Sequence, residues 1–208
     1  MPYRAIFLDR DGTLVYPRHF PSNSSELALY PEIETGLRRL QTAGFRLIVA
    51  TNQPGIAFGH LTEAQLQQMN QQIKKELGRL GVRLDGIYYC PHHPQGSISE
   101  WTMRCDCRKP QPGMLRRASA DHHVDLHQSW MVGDILDDIE AGNRVGCRTV
   151  LIDLGTEAPP RTALRRPDFV ARDTLHALDI ISAVEDLSPP PDMRYLPTRW
   201  HGGMTAPS

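Results

Sequence analysis

Short apolar segments alternate with amphipathic helical segments along most of this chain, and no other feature restricts its fold as strongly. Parallel strands need crossover connections, and these are usually helices that cover the sheet. The alternation therefore predicts an α/β fold with a mainly parallel sheet and helices on both faces. The predicted strands are residues 4–8, 46–50, 86–89, 130–132, 149–152 and 168–171, and the predicted helices are 33–43, 62–80, 112–118, 136–144 and 174–186.

Polar residues come directly after four of the predicted strands. Ligands of parallel α/β sheets bind beyond the carboxyl ends of the strands, near the point where the strand order reverses. Functional residues are therefore expected immediately after strands. The residues at these positions are Asp9 and Asp11, Thr51 and Asn52, Cys90, and Gly133 with Asp134.

Two pairs of carboxylates fall at this predicted edge. Asp9 and Asp11 are separated by one residue and precede a predicted Gly-Thr turn. Asp134 and Asp138 are expected to share one face of a first helical turn. Taken separately, the first pair could cap a loop and the second could be favourable partners of a helix dipole. Together they supply several hard oxygen ligands whose mutual repulsion a cation would relieve. The four carboxylates therefore predict a magnesium ion.

A hydroxyl and a lysine accompany the carboxylates. Thr51 follows the second predicted strand, and Lys109 lies in the Cys-Arg-Lys-Pro segment at 107–110. Each is a weak signal alone, because such a threonine is more often structural and a single lysine is usually solvated. Together, a hydroxyl donor and a point charge are what a phosphoryl group needs beside a cation and a nucleophile.

In this order and spacing, the four motifs resemble those of the haloacid dehalogenase superfamily of phosphotransferases. The motifs are Asp-x-Asp-Gly-Thr at 9–13, Thr51, Lys109, and Gly-Asp-x-x-x-Asp at 133–138. The resemblance implies a Rossmann-like fold and a magnesium-dependent phosphoric monoester hydrolase. It also implies that Asp9 is the nucleophile, which forms an aspartyl-phosphate, and that Asp11 is the general acid and base.

The same resemblance assigns the remaining residues of the four motifs. Thr51 and Lys109 would bind the phosphoryl oxygens. Magnesium would be held by Asp9, the backbone carbonyl of Asp11 and Asp134. Asp138 would hold these ligands in position without itself contacting the ion.

Three cysteines and two histidines lie close together in the segment 90–107. In a reducing compartment such a thiol cluster is more typical of a metal site than of disulfides, and four soft ligands suit tetrahedral zinc with no open position. The predicted zinc ligands are Cys90, His92, Cys105 and Cys107. The alternatives are His93 in place of His92, and reduced thiols without a metal. We expect a structural zinc that holds this loop and delivers Arg108 and Lys109 to the pocket.

The segments 87–96 and 105–114 closely resemble those of the heptose bisphosphate phosphatases, capless members of the superfamily that are related to histidinol-phosphate phosphatases. The resemblance covers about residues 4–187. It implies removal of the C7 phosphate from D-glycero-D-manno-heptose 1,7-bisphosphate, on a route to surface polysaccharide. It assigns three further residues to the substrate, namely Arg108 at the distal phosphate or sugar and Asn52 and Gln53 at the hydroxyls. A histidinol-phosphate phosphatase or a broader small-molecule phosphatase is the alternative with the same chemistry.

Composition excludes several other classes of protein. Of the 208 residues, 40% are apolar and 23% are charged, and the net charge of −1 provides no global field for nucleic acid or anionic membranes. The longest aliphatic stretches are far shorter than a membrane span, and the first eleven residues do not resemble a secretory signal. We expect a cytoplasmic monomer with a small phosphorylated sugar as its substrate and no nucleic-acid or membrane partner.

The chain is expected to form one phosphatase domain over residues 1–187, with the zinc loop at 90–107. The Pro/Ser-rich stretch at 17–25 is predicted to be a loop, and the Pro-rich segment 188–208 a mobile tail. The alternative from a different class is a zinc-stabilised binding module without catalytic activity.

Overall fold

The computed structural model describes residues 2–17 and 28–187 of the chain. Except for Pro17, the predicted loop at 17–25 lies outside these residues, and so does the predicted tail at 188–208. The strands are β1 (Arg4–Leu8), β2 (Phe45–Asn52), β3 (Gly86–Cys90), β4 (Trp130–Gly133), β5 (Arg148–Ile152) and β6 (Phe169–Ala171). The α-helices are α1 (Ile33–Thr42), α2 (Glu63–Arg79), α3 (Gly113–His122), α4 (Leu136–Asn143) and α5 (Thr174–Val184).

The six strands form one sheet in which every neighbouring pair is parallel. The order across the sheet is β3-β2-β1-β4-β5-β6, so the chain adds strands outward from β1 on one side and then returns to its other side at β4. The strand order therefore reverses between β1 and β4. In a parallel sheet this reversal opens a crevice at the carboxyl ends of the two strands. The predicted parallel α/β architecture is confirmed.

Helices cover both faces of the sheet, as predicted. Ile6 and Leu8 of β1 point to the face that carries α1, α2 and α5. Phe7 points to the opposite face and packs in one cluster with residues of α3. On that same face, Ile139 of α4 contacts Leu151 of β5. Alternate residues of the central strand are therefore buried on both sides, which is why it is an uninterrupted apolar run.

The start of α2 and the end of α1 follow their local sequence signals. The Gln65 N–H donates to Thr62 Oγ1 at 3.2 Å and the Thr62 N–H donates to Gln65 Oε1 at 2.7 Å, which forms the predicted capping box. Gly44 follows α1 with a φ of 89°, a left-handed conformation that glycine adopts without a steric penalty.

Three strands extend further than the sequence predicts. Thr51 and Asn52 are the last residues of β2, and Cys90 and Gly133 end β3 and β4. The prediction that they follow their strands is therefore wrong by one or two residues. The reason is that the parallel register continues into the polar positions, pairing Thr51 with Tyr89 and Asn52 with Cys90. All four still lie at the carboxyl edge.

Candidate active site and metal centres

Asp9 lies at the point where the strand order reverses. It is the first residue after β1, and its N–H donates to the carbonyl oxygen of Val132 in β4 at 2.9 Å. Its carboxylate Oδ1 accepts a hydrogen bond from Lys109 Nζ at 2.6 Å. Asp9 is only 7% exposed, so one oxygen of a nearly buried carboxylate is paired with a cation.

Lys109 is buried among three acceptors. Besides Asp9, its Nζ lies 2.7 Å from the carbonyl oxygen of Ala50 and 2.5 Å from Asp138 Oδ1. Desolvation alone would lower the pKa of this ammonium group, but the charges of Asp138 and Asp9 raise it above its ordinary value. Lys109 therefore remains protonated and supplies a fixed positive charge beside Asp9.

Asn52 holds the backbone of Lys109. Its Nδ2 donates to the Lys109 carbonyl oxygen at 3.0 Å, and its Oδ1 accepts the Lys109 N–H at 3.0 Å. This double hydrogen bond ties the end of β2 to the loop that carries the lysine. One N–H and one lone pair of the amide group remain for another partner.

Three carboxylates converge at the same edge. One oxygen from each of Asp9, Asp134 and Asp138 lies within 4.8 Å of the other two. Burial, together with the charges of Asp9 and Asp138, raises the pKa of Asp134 to about 8. Burial also raises the pKa of Asp138 to about 7, although the charge of Lys109 opposes this shift. Carboxylates buried together with too little positive charge favour a hard cation, so this donor set fits Mg²⁺.

Within this cluster, Asp134 and Asp138 differ in their contacts. Asp138 is 0% exposed, its Oδ1 is paired with Lys109, and its Oδ2 accepts the Ile135 N–H at 3.3 Å. Both of its oxygens are therefore engaged. Asp134 has no comparable pairing with a cationic side chain among the described ion pairs, which leaves its carboxylate for a metal ion.

Two glycines allow the acidic side chains to approach the backbone. A Cβ atom at Gly12 would overlap the carboxylate of Asp134, and one at Gly133 would overlap that of Asp138. Gly12 also has a φ of 84°, in the left-handed region. The glycine in the Asp-x-Asp-Gly-Thr motif is therefore needed both for the turn and for the position of Asp134.

A second set of polar side chains surrounds Asp11. Arg10 Nη2 donates to Asp11 Oδ2 at 2.8 Å, and Gln53 Nε2 donates to the same oxygen at 2.7 Å. Gln53 Nε2 also donates to Thr51 Oγ1 at 3.0 Å. Arg10 reaches α2 as well, where its Nη1 lies 3.2 Å from Asn70 Oδ1. The predicted site residues Asp11, Thr51 and Gln53 therefore form one connected group.

A cleft of about 640 Å³ opens beside Lys109. Arg104, Arg108 and Asp137 are among its lining residues. The Arg108 side chain is half-buried, and its Nη1 donates to the carbonyl oxygen of His92 at 3.3 Å. With two guanidinium groups in its lining, the cleft is suitable for an anionic group.

The four predicted zinc ligands meet in one cluster. Cys107 Sγ lies 3.1 Å from Cys90 Sγ and 3.2 Å from Cys105 Sγ, and His92 Nδ1 lies 3.4 Å from Cys107 Sγ. Hydrogen bonding to Cys90 is the largest effect that lowers the pKa of the Cys107 thiol to about 5. The thiols are not joined by a disulfide. Three sulfur ligands and one nitrogen ligand, all within 4.8 Å of one another, suit a tetrahedral zinc ion.

His93 lies outside the cluster. Its Nδ1 accepts the Gln95 N–H at 3.1 Å, and its ring packs against Phe58 with centroids 4.8 Å apart. His92 is therefore the histidine whose ring nitrogen reaches the three thiols. Phe58 and His93 instead connect the zinc loop to the turn that follows β2.

Sequence reasoning missed two residues of the site. Arg10 gives no separate signal in the sequence, because it stands between two more conspicuous aspartates. Asn70 is buried on the face of α2 that otherwise carries apolar residues. A polar residue at a core position of an amphipathic helix is the signal that could have revealed it, because such a group needs a buried partner.

Comparison with known proteins places these features in a family. The family model described as HAD-hydrolase-like matches residues 106–177. The D-glycero-beta-D-manno-heptose-1,7-bisphosphate 7-phosphatase of Escherichia coli (strain K12) is 44% identical over 158 residues, which cover 76% of this chain and 79% of that protein. The chain belongs to the heptose bisphosphate phosphatase family of the haloacid dehalogenase superfamily. The family membership that the motifs indicate is thereby confirmed.

Solved structures of this superfamily share the fold. A HAD-like phosphatase from Mesorhizobium loti superposes with a TM-score of 0.78 at 31% identity and covers 92% of this chain and 90% of its own. The D,D-heptose 1,7-bisphosphate phosphatase from B. bronchiseptica, solved with magnesium and phosphate, gives a TM-score of 0.71 at 28% identity, with coverage of 88% and 99%. Among the described residues of the present chain, helices long and apolar enough for a membrane span are absent.

Proposed function

We propose that this protein is a magnesium-dependent phosphatase that removes the C7 phosphate of D-glycero-D-manno-heptose 1,7-bisphosphate. The observation that carries this proposal is the Asp9 carboxylate at the strand-order reversal, paired with a buried lysine and grouped with Asp134 and Asp138. A family member that is 44% identical bears the name of this activity, for the beta anomer. We propose the same anomer as the preferred substrate.

The reaction takes place in two displacements at phosphorus. An Asp9 carboxylate oxygen forms a bond to phosphorus while the bond from phosphorus to the sugar oxygen breaks, and Asp11 gives its proton to that departing oxygen. Water then bonds to phosphorus and gives a proton to Asp11 as the aspartyl-phosphate bond breaks. Phosphate leaves, and both carboxyl groups return to their starting states.

The surrounding residues balance charge and orient the phosphoryl group. Lys109 keeps a positive charge beside Asp9, which reduces the repulsion between the carboxylate and an anionic substrate. Thr51 is nearly buried at the end of β2, where its hydroxyl can donate to a phosphoryl oxygen. Magnesium, bound by Asp9, Asp134 and the Asp11 carbonyl, would supply electrostatic stabilisation of the equatorial oxygens.

Three further residues are proposed to bind the sugar and the distal phosphate. Arg108 lies in the wall of the 640 Å³ cleft and is proposed to bind the distal phosphate. Asn52 retains one donor and one lone pair for a substrate hydroxyl. Gln53 uses both N–H groups within the protein and keeps one lone pair, so we propose that it accepts a hydrogen bond from the substrate.

The Cys90, His92, Cys105 and Cys107 cluster is proposed to hold zinc for structure and not for catalysis. Four protein ligands leave no open position for a substrate. The loop between the ligands has only one short helical turn, Ser99–Trp101, and leads directly into Arg108 and Lys109. The zinc-stabilised module without catalysis is not favoured, because the carboxylate centre is complete and the chain belongs to a family of phosphatases.

The test is a phosphate-release panel with both anomers of the heptose bisphosphate and with histidinol phosphate, each with Mg²⁺ or with a chelator. We expect the highest kcat/KM for the beta heptose bisphosphate and no turnover without Mg²⁺. Asp9→Asn should abolish turnover while circular dichroism shows an unchanged fold. Release that survives Asp9→Asn or chelation would refute the mechanism, and a preference for histidinol phosphate would refute the substrate.

Residues 1–187 are proposed to form the catalytic domain, and the chain is proposed to act as a monomer without nucleic-acid or membrane partners. A truncation after residue 187 should keep full activity. Sedimentation analysis of the full chain should give the mass of one chain, 23.4 kDa. Loss of activity on truncation would place a function in the last 21 residues.

A further inference from the structure

We propose that Arg10, anchored by Asn70, is a positioning residue that sets the orientation of Asp11 for proton transfer to the leaving group. This inference rests on the proposed function, in which Asp11 is the general acid and base. Arg10 does not need to touch the substrate for this role. It acts through the carboxyl group of its neighbour.

The guanidinium of Arg10 is buried, with 1% of the residue exposed. It makes hydrogen bonds to three segments of the fold. After β1, its Nε and Nη2 donate to the Asp11 carboxylate. After β2, its Nη2 donates to Gln53 Oε1 at 3.0 Å. In α2, its Nη1 donates to Asn70. A buried charge is costly unless such partners satisfy it. An apolar side chain would fill the same space at lower cost if packing were its only purpose.

Asn70 fixes the far end of this arrangement. It is 8% exposed and lies on the face of α2 that is lined by Leu66, Met69, Ile73 and Leu77. Its Oδ1 accepts from Arg10 at 3.2 Å. The described hydrogen bonds connect Asn70 to Asp11 only through Arg10. A substitution of Asn70 should therefore affect the orientation of Asp11 through Arg10.

The contacts on Asp11 distinguish its two oxygens. Oδ2 accepts from Arg10 Nε at 3.1 Å, from Arg10 Nη2 at 2.8 Å and from Gln53 Nε2 at 2.7 Å. Oδ1 has a single contact, from Arg10 Nη2 at 3.1 Å. With Oδ2 fully occupied, Oδ1 is the oxygen that carries the proton to and from the substrate. The planar fork of arginine thus orients the carboxyl plane, which a lysine ammonium could not do.

Proton donation matters only for a poor leaving group, so two substrates with different leaving groups can test the role of Arg10. The sugar oxygen at C7 leaves as an alcohol and needs a proton, whereas p-nitrophenolate leaves without one. Moreover, kcat/KM reports the steps up to the first irreversible one, which is formation of the aspartyl-phosphate. A fault in the orientation of Asp11 should therefore lower kcat/KM for the sugar phosphate far more than for p-nitrophenyl phosphate.

The variants are Arg10→Lys, which keeps the charge but loses the fork, and Asn70→Leu, which removes the anchor without touching Asp11. Both substrates are measured in single turnovers with enzyme in excess, so that slow reactions remain measurable. For Arg10→Lys we expect roughly a 30- to 100-fold loss with the heptose bisphosphate and less than about a 3-fold loss with p-nitrophenyl phosphate. Asn70→Leu should show the same selectivity with a smaller loss. Asn70→Leu in the Arg10→Lys background should add little further loss.

Arg39→Lys is the matched control, because Arg39 forms a 3.0 Å ion pair with Asp179 between α1 and α5 and has no described hydrogen bond or ion pair with Asp11, Arg10 or Asn70. It should leave both rates unchanged. Equal losses on both substrates, or no loss, in the Arg10 and Asn70 variants would overturn the proposal. If Arg10→Lys does not fold, the result with Asn70→Leu alone decides whether the proposal holds. Failure of the proposed function is a separate outcome, since the wild type itself would then lack activity that depends on Mg²⁺ and Asp9.

Discussion

At the scale of single residues, the site depends on charges that are buried and compensated by specific neighbours. Lys109 is 1% exposed, yet it keeps its proton because Asp9 and Asp138 lie within 2.6 Å of its Nζ. Asp9 and Asp138 depend on the lysine in return. Removing one member of such a group leaves an uncompensated buried charge, so changes here are expected to lower the free energy of unfolding as well as the activity, even where the fold is kept.

Gly12 offers a prediction at this scale. Alanine at position 12 must adopt a left-handed φ, at a cost of about 1–2 kcal/mol, and its Cβ would also displace the carboxylate of Asp134. Gly12→Ala should therefore lose about 100-fold or more in kcat/KM, measured by phosphate release, because the ligands of the cation are displaced.

Gly44→Ala provides the control for backbone strain. Gly44 has a φ of 89°, but a Cβ there meets no atom within 4 Å. This variant should lose a similar amount of stability in denaturant unfolding while it keeps wild-type activity. If Gly12→Ala keeps its activity as well, the close approach of Gly12 and Asp134 has no functional importance.

At the scale of secondary-structure elements, the zinc loop and the helices act as positioning devices. The loop is joined to the turn after β2 by the Ser97 and Ile98 N–H groups, which donate to the Ala57 carbonyl oxygen at 2.7 and 2.9 Å. It is fixed at its other end by the cysteine–histidine cluster. Because Lys109 follows this loop, its position depends on both attachments.

Loss of zinc should therefore reduce catalysis at a distance. We expect about one zinc ion per purified chain by metal analysis, and Cys105→Ser should lose that ion. The variant should also lose on the order of 100-fold in kcat/KM, because Lys109 and Arg108 are no longer held in place. Cys147→Ser changes a buried cysteine outside the cluster, so it should retain the zinc. A zinc-free Cys105→Ser protein with normal activity would refute the positioning role of the loop.

We expect the first turn of α5 to make a pH-dependent contribution to stability. Burial, followed by the charge of Arg172, lowers the pKa of His176 below its ordinary value. Its Nδ1 accepts the Arg172 N–H at 3.3 Å, which requires an unprotonated nitrogen. The unfolded chain binds a proton near pH 6.5, before the folded chain does. The contribution of neutral His176 is therefore present above about pH 6.5 and is lost as the pH falls below that value.

His176→Gln tests this pH dependence. Urea unfolding of the wild type and the variant between pH 7 and pH 5 should give free energies that converge as the pH falls, because only the wild type loses the contribution of a neutral imidazole. The measurement compares the two curves and so removes effects common to both proteins. Parallel curves would show that His176 does not contribute.

At the scale of the whole molecule, the topology explains why distant segments of the sequence meet. Asp9, Lys109 and Asp134 are far apart along the chain, but each lies at or beside the carboxyl edge of β1, β2 or β4. The alternation of strands and helices made this meeting predictable, because a parallel sheet places all these ends at one edge. The motif spacing and the cysteine–histidine pattern likewise indicated side chains that the structure brings together, namely Asp9 with Asp134 and Asp138, and the four residues Cys90, His92, Cys105 and Cys107.

Side-chain partners were less predictable, because they depend on the register between elements. The family resemblance assigns Asn52 to the substrate, and only the three-dimensional structure shows that its amide is paired with the backbone of Lys109. The link between Arg10 and Asn70 joins residues 60 positions apart and needs the packing of α2 against the sheet. A hydropathy pattern also predicts strand ends that are too early, since hydrogen bonding between strands continues into polar residues that the pattern excludes.

We expect the carboxylate cluster to make the stability of the whole molecule depend on magnesium. Burial and neighbouring charges raise the pKa of Asp134 to about 8, so its ionised form opposes folding in the absence of a cation. Between about pH 4 and pH 8 the metal-free protein should therefore lose stability at this group as the pH rises. An ion that binds only the folded state reverses this loss, by about 2.7 kcal/mol at a hundred times its dissociation constant.

Asp134→Asn should separate these two effects in thermal unfolding at pH 8. Without metal, the variant should be more stable than the wild type, because it removes a buried charge that Asp9 and Asp138 repel. With Mg²⁺, the order should reverse, since only the wild type keeps the ligand that the ion needs. Asp121→Asn removes an exposed carboxylate and should retain the full stabilisation by Mg²⁺. A metal-free Asp134→Asn protein that is less stable than the wild type would show that this carboxylate is already compensated within the fold, and the cluster would then require no cation.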